Sequence, residues 1–167
     1  GYVEHVAATE NEHVKAGDPL ATIDAGDYRI ALDQAKAQIA TENKTLQRID
    51  AQVEAAKASL QQAEAQKAAS VAAADNAKRT RDRAQRLVDT RVGTQAQLDD
   101  AQTAVEQGDA GLSGADAQIA AANANIGVLK AQYEEAKSSI RSLELARDKA
   151  ARDLSFTVLR APYDGVV

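Results

Sequence analysis

Few side chains in this sequence could do chemistry, and they do not converge. His5 and His13 are the only imidazoles, and there is no Cys. A zinc site needs three or four ligands, and no third is recognisable beside them, so they read as structural or solvent-facing residues of a small β-unit. A second candidate is the basic run Lys78-Arg79-Thr80-Arg81-Asp82-Arg83, followed by Arg86 and Arg91. As a solvated helix face such charges do little for stability; as a contact surface they would attract an acidic partner. Asn43-Lys44-Thr45 fits a glycosylation acceptor pattern but falls within helical periodicity. No arrangement for nucleophilic catalysis, phosphate binding or paired-carboxylate chemistry stands out. The sequence reads as a non-enzyme, with no metal and no cofactor.

Composition narrows the classes further. Twenty Lys and Arg against 25 Asp and Glu give a net charge of −5, so no overall cationic field is available to hold nucleic acid. The 44% apolar content includes one Phe, four Tyr and no Trp. It is carried by small residues, Ala above all, which suit close helix contacts better than a thick core. No stretch approaches the roughly 20 apolar residues of a membrane-spanning helix, and no signal peptide is visible. The absence of Met suggests a piece of a longer protein.

The elements that must position these residues follow from periodicity. Around Tyr2-Val3-Glu4-His5-Val6 and Leu20-Ala21-Thr22-Ile23 the sequence fits short strands, with Lys15-Ala16-Gly17-Asp18 as the turn between them. Asp24 or Asp27 can start a helix by accepting from its free first-turn N–H groups. From Tyr28 there is no Pro until Pro162. Leu32, Ile39, Leu46, Val53 and Leu60 recur every seven residues, with Ala35, Ile49, Ala56 and Ala63 three residues on from members of that row, which is a coiled-coil seam. Val71, eleven after Leu60, reads as a stutter that relaxes the supercoil. A second series, Leu98, Val105, Leu112, Ile119, Ile126, Tyr133 and Ile140, runs beside Ala101, Gly108, Ala115, Ala122, Leu129, Ala136 and Leu143.

Between the series, Thr90-Arg91-Val92-Gly93-Thr94-Gln95 is where the chain reverses. Gly93 is expected to take the left-handed conformation that closes one helix and Thr94 to cap the next. Each arm is roughly 60 residues, of order 90 to 95 Å at helical rise, and residues facing each other should have numbers summing to about 186. The glycines at 108, 111, 114 and 127 each cost about 1 kcal/mol in a helix interior. Because the seam keeps its spacing through them, an uninterrupted, locally soft helix is expected rather than a loop.

The expected fold is mainly α: a long antiparallel two-helix coiled-coil hairpin (27–155, tip about 90–95) inserted in a small split β-sandwich contributed by 1–26 and 156–167. The flanking strings are Val14-Lys15-Ala16-Gly17-Asp18-Pro19-Leu20-Ala21-Thr22-Ile23-Asp24 and Thr157-Val158-Leu159-Arg160-Ala161-Pro162-Tyr163-Asp164-Gly165-Val166-Val167. With the heptad hairpin between them, they resemble the periplasmic adaptor, or membrane fusion, proteins of the HlyD and EmrA type.

The resemblance implies a lipoyl-like sandwich split into halves, with Gly17, Asp18, Leu20, Ala161, Pro162, Asp164 and Gly165 as its turn and strand residues. It implies a periplasmic location with an inner-membrane anchor outside this stretch. Its implied partners are an inner-membrane exporter, a TolC-like outer-membrane channel and further copies of the chain, as trimer or hexamer. Family members that dock on such channels carry an Arg, a Leu four residues on and a Ser seven beyond that. The matching positions here are Arg83, Leu87 and Thr94, with Thr replacing Ser. Long arms resemble adaptors of major-facilitator multidrug pumps more than those of RND pumps, with ABC-type toxin secretion as the alternative. A lipoyl or biotin carrier would need an acceptor Lys where Asp24-Ala25-Gly26-Asp27 stands. A purely structural coiled coil would leave the matched terminal strings unexplained.

Overall fold

The computed structural model describes residues 1–167. In chain order the elements are β1 (Val3–Val6), β2 (His13–Val14), β3 (Pro19–Ile23), α1 (Gly26–Asp89), α2 (Gln95–Ser155), β4 (Val158–Arg160) and β5 (Gly165–Val166). The two helices form the expected hairpin, and small antiparallel sheets unite the chain ends. The chain divides into two compact units, Gly1–Gln47 with Glu134–Val167, and Arg48–Tyr133.

In the first unit both ends of the chain share sheets, as a split domain requires. β3 is the centre of a three-stranded sheet, with β1 antiparallel on one side and β4 on the other. A second sheet pairs β2 with β5, setting His13 opposite Val166 and Val14 opposite Gly165. Strands this short are not stable in isolation, and each C-terminal strand pairs with one from the N-terminal stretch. The helices are tied to the sheet at their roots. An Asp24 carboxylate oxygen accepts from the Gly26 N–H at 2.9 Å, meeting one of the free donors that open a helix. At the far end Thr157 is buried. Its hydroxyl donates to the Leu154 carbonyl at 2.7 Å, and its own carbonyl accepts from Ile23 N–H at 2.8 Å, so the exit of α2 is fastened to β3. Ala35 and Ala136 are buried on the inner faces of the two helices.

In the second unit the seam is the core. Val53, Ala56 and Ala74 on α1 and Ala101, Val105, Ala115 and Ile126 on α2 are buried, all seam positions. The helices run antiparallel in the expected register: Ala74 lies against Gly108, Lys67 pairs with Asp116 at 2.7 Å and Lys78 with Asp109 at 2.9 Å, with number sums of 182, 183 and 187.

Two expectations need correcting. There is no stutter after Leu60, because Val71 points outward, 37% exposed. The inward positions continue at strict heptad spacing through Lys67, Ser70, Ala74, Ala77, Arg81, Ala84 and Val88. Small or long-stemmed side chains hold the seam there, so large apolar residues were a poor guide to it. α2 is continuous from Gln95 to Ser155, through all four glycines. Gly108 is explained by packing: a Cβ there would sit 3.0 Å from the Ala74 Cα.

The second correction concerns the reversal. Gly93 does not carry the left-handed conformation; Arg91 does, at φ 59°. The Arg91 N–H donates to the Val88 carbonyl and the Val92 N–H to the Leu87 carbonyl, each at 2.9 Å. This is the paired bonding of a Schellman closure, with Arg91 as the residue just past the helix cap. Gly93 is required for space instead, since a Cβ would meet the Leu87 Cβ at 2.9 Å.

Candidate functional site

Two places gather the residues singled out from sequence. The first is the meeting of the terminal strings. Lys15 to Asp18 make a β-turn, with the Asp18 N–H donating to the Lys15 carbonyl at 3.0 Å and Gly17 at φ 92°. A positive φ at the third residue is the type II geometry that favours Gly. The Asp18 carboxylate accepts from Lys15 N–H at 2.8 Å. The second string docks onto this turn. Gly17 N–H donates to the Ala161 carbonyl at 2.8 Å and Ala161 N–H to the Asp18 carbonyl at 2.9 Å. The Asp164 carboxylate accepts from Ala16 N–H at 2.7 Å, and the Arg160 guanidinium donates to the Gly17 carbonyl at 2.9 Å.

Gly165 pairs with Val14 in the β2–β5 ladder. The Leu20 carbonyl receives Ala7 and Ala8 N–H groups at 2.9 and 3.2 Å. Pro162 lies beyond the end of β4, where no ladder donor is needed. These residues clasp the two ends of the chain together; none presents a reactive group to a cavity. Beside the clasp, Thr9 donates from its N–H and hydroxyl to one Glu12 carboxylate oxygen at 2.9 and 2.8 Å. The backbone bond, then the hydroxyl bond, holds that carboxyl below the ordinary glutamate value. His5 lies in β1 and His13 in β2, in different sheets, and no group of three or more His, Cys, Asp or Glu gathers as a metal site.

The second place is the reversal. Thr94 caps α2 reciprocally: its hydroxyl accepts from Gln97 N–H at 3.3 Å and its N–H donates to the Gln97 side-chain oxygen at 3.1 Å, a capping box. Thr90 adds a hydroxyl bond to the Arg86 carbonyl at 3.0 Å. Arg83 and Leu87, one helical turn apart, both face solvent, with Leu87 42% exposed. Leu87 is drawn into the turn by its carbonyl bonds and its contact with Gly93, while Arg83 stands one turn back from it. Thr94 is exposed, with its hydroxyl engaged in the cap.

The basic run splits in role. Lys78 is spent on Asp109 across the hairpin, and Arg81 is a seam residue whose Nε is buried without a partner. Arg79, Arg83 and Arg86 are exposed and in no ion pair. Sequence reasoning missed Lys67 and Arg81 as seam residues; continuing the seven-residue spacing from Leu46, Val53 and Leu60 would have reached both. The open depressions beside the helices, one lined by Glu134, Lys137 and Arg141, bring no set of reactive side chains together. No helix is long and apolar enough to cross a membrane.

Comparison with known proteins gives one family match. Residues 59–128 match the model described as RND MFP, alpha-helical hairpin domain, the helical hairpin of membrane fusion proteins, and bear out the resemblance read from the sequence. The matched segment spans the reversal evenly, its ends facing one another in the hairpin register. No curated protein matches the chain. Among solved structures, the chain is similar to the periplasmic adaptor protein EmrA, at 17% identity and TM-score 0.48, covering 100% of this chain and 62% of that one. It is also similar to a Bacteroides eggerthii DSM 20697 protein named as an efflux transporter, at 16% identity and TM-score 0.31, covering 100% of this chain and 30% of that one. This chain thus spans less than two thirds of either structure.

Proposed function

We propose that this chain is the hairpin-bearing part of a periplasmic adaptor in a Gram-negative tripartite efflux or secretion system. In this reading it is anchored to the inner membrane outside the present residues and bridges an exporter there to a TolC-like outer-membrane channel. The observation that carries the reading is the hairpin itself. An unbroken pair of heptad helices, matched around its reversal by the membrane fusion hairpin model, is rooted where both chain ends clasp into shared sheets.

The reversal is the docking end, with Arg83, Leu87 and Thr94 as the contact residues. A guanidinium offers a multi-donor fork to carboxylates or carbonyls of a channel helix, Leu87 an exposed apolar contact, and Thr94 a cap that fixes the turn presenting them. Helices of 64 and 61 residues favour a major-facilitator pump as the exporter, whereas the RND label of the matched hairpin model favours an RND pump. Co-purification of the full-length protein with its exporter decides between them.

The test of docking is Arg83→Asp in the full-length protein. Substitution at an exposed site usually changes stability by within about 0.5 kcal/mol, so expression and helicity should hold while efflux-dependent resistance and crosslinking to the channel are lost. Leu87→Ala should weaken both and Thr94→Ser should leave both intact. Normal resistance and crosslinking in Arg83→Asp would overturn the docking assignment.

A further inference from the structure

The two flanks of the seam in the second unit differ in kind. With Leu60 and Val105 at heptad position a, the e positions of both helices line one flank, where Lys78 meets Asp109, and the g positions line the other. Between Arg48 and Tyr133 the e flank holds Asp50, Lys57, Glu64, Lys78, Asp109, Asp116 and Lys130, seven charges in eleven positions, while the eleven g positions hold none. A merely solvated face in a chain that is 27% charged would not spare a whole row. The g row carries amides and hydroxyls instead, level with one another across the hairpin: Gln66 with Gln118, Ser59 with Asn125 and Gln52 with Gln132, each pair summing to 184. All six are exposed. The c positions just outside them are also uncharged, from Ala55 to Asn76 and from Gln107 to Val128. Two adjoining depressions follow this flank and share Ser59. Gln62, Gln66 and Gln118 stand over Ala63 and Ala122 in one, and Gln52 and Asn125 over Ala56 and Leu129 in the other.

We infer that this flank binds an extended, uncharged glycan strand, a β-1,4-linked chain of N-acetylated sugars, laid along the groove between the helices. Charge selects first: a groove without a single ionic group offers nothing to a charged strand such as nucleic acid, whose binding draws on neutralised phosphates. Chemistry selects next. Each carboxamide presents two donors and an acceptor, which suit hydroxyl and acetamido groups, while the Ala and Leu floor meets the C–H faces of sugar rings. Repeat length selects last. Successive g residues on one helix stand seven apart, about 10.5 Å at helical rise. A β-1,4-linked chain turns alternate rings over and repeats every two sugars at nearly that distance, so each disaccharide meets the same groups as the one before. An extended peptide repeats at about 6.7 Å per two residues and falls out of step within one heptad. A hydrogen bond exposed to water contributes little by itself, so binding accumulates over repeats. The inference rests on this flank alone and stands apart from the choice of exporter or channel.

The test is titration of the 167-residue chain with N-acetylglucosamine oligomers of two, four and six sugars, followed by the side-chain amide signals in NMR. Signals of Gln52, Gln66, Gln118 and Asn125 should move, while those of Gln85 and Asn123 on the e flank stay in place. Affinity should rise about tenfold or more from the two-sugar to the six-sugar probe as further repeats engage. It should hold steady as salt is raised, since screening acts on charge. Gln66→Ala with Gln118→Ala should weaken binding of the six-sugar probe about tenfold by removing a level pair of amides. Lys57→Ala with Lys130→Ala on the other flank should leave it unchanged. Helicity holds in both, because Ala is the stronger helix former. Still signals at the solubility limit of the six-sugar probe, equal affinity for two and six sugars, movement confined to the e flank, or binding that survives the paired Gln substitutions would each overturn the inference. Signals that move with protein concentration and not with sugar would put a second copy on this flank and overturn it equally.

Discussion

The four glycines of α2 allow a test of the hairpin that contrasts nearly identical substitutions. Gly→Ala in a helix interior gains about 1 kcal/mol when nothing else changes. At Gly111, Gly114 and Gly127 nothing lies within 4 Å of the added Cβ, so each substitution should deliver that gain. In a domain of this size it raises the melting midpoint by about 2–4 °C. At Gly108 the Cβ would stand 3.0 Å from the Ala74 Cα and 3.4 Å from its Cβ. Ala74 is 2% exposed, and its Cα belongs to a helix backbone that cannot swing aside as a long side chain does. Overpacking of this kind costs about 1–3 kcal/mol, which cancels or exceeds the helical gain. Gly108→Ala should therefore melt at or below the wild type while the other three melt above it.

The assay is thermal unfolding followed by circular dichroism, in dilute solution at moderate salt so that only the single chain is read. Equal stabilisation by all four substitutions would refute the close approach of α1 and α2 at Gly108. Failure of both Gly111→Ala and Gly114→Ala to stabilise would refute a continuous helix between them.

The remaining predictions address the reversal and the clasp. Arg91→Gly should stabilise by roughly 1 kcal/mol by removing the left-handed cost of a side-chain-bearing residue, measured by denaturant midpoint. Thr94→Ala should cost about 1 kcal/mol through loss of the cap, with Thr94→Ser near wild type in the same measurement. Asp164→Ala should release the Ala16 amide, read as its faster hydrogen exchange with little change at the reversal. Glu12 should titrate below the ordinary glutamate value of 4.5 in a carboxyl NMR titration. Because its folded value is the depressed one, its contribution is present above the unfolded value and is lost as pH falls through the folded one; Thr9→Ala should return the titration toward normal.

The hairpin was legible because its signal is repeated many times. The seam of α2, from Leu98 to Leu143, is large and apolar or small at every predicted position, and any single exception is outvoted. The α1 seam was legible only as far as Leu60 and Ala63. Beyond them Lys67, Ser70 and Arg81 hold inward positions by their stems or their small size, and hydropathy alone assigned the inward place to Val71 instead. The union of the chain ends was legible because Lys15 to Asp18 and Ala161 to Gly165 carry the turn chemistry each requires. The bonds that join them, such as Asp164 to Ala16, span 148 positions, and no local pattern encodes them. At the reversal, glycine's permissiveness misled: Gly93 is there for lack of room, and the strained conformation falls on Arg91, where the Schellman bonds compensate it.

A seam built from Ala also bears on what keeps the two helices ordered. No large side chain in the chain is fully buried, and the most enclosed helical seam residue, Ala74, offers one methyl. At about 0.8 kcal/mol per buried methylene-sized group, the ribbon gains little from each layer, and part of its order must come from helix propensity, in which Ala leads. The choice of Ala reaches beyond the seam, however. Positions facing outward contribute nothing to a two-helix core, and there Ala serves through helix propensity, where it ranks above Glu, Lys and Gln. The outer positions of α1 accordingly hold Ala65, Ala68, Ala69 and Ala72, and those of α2 hold Ala110, Ala117, Ala120 and Ala121. Those residues add order to each helix without adding to the core, so the ribbon draws on propensity where its seam is thin.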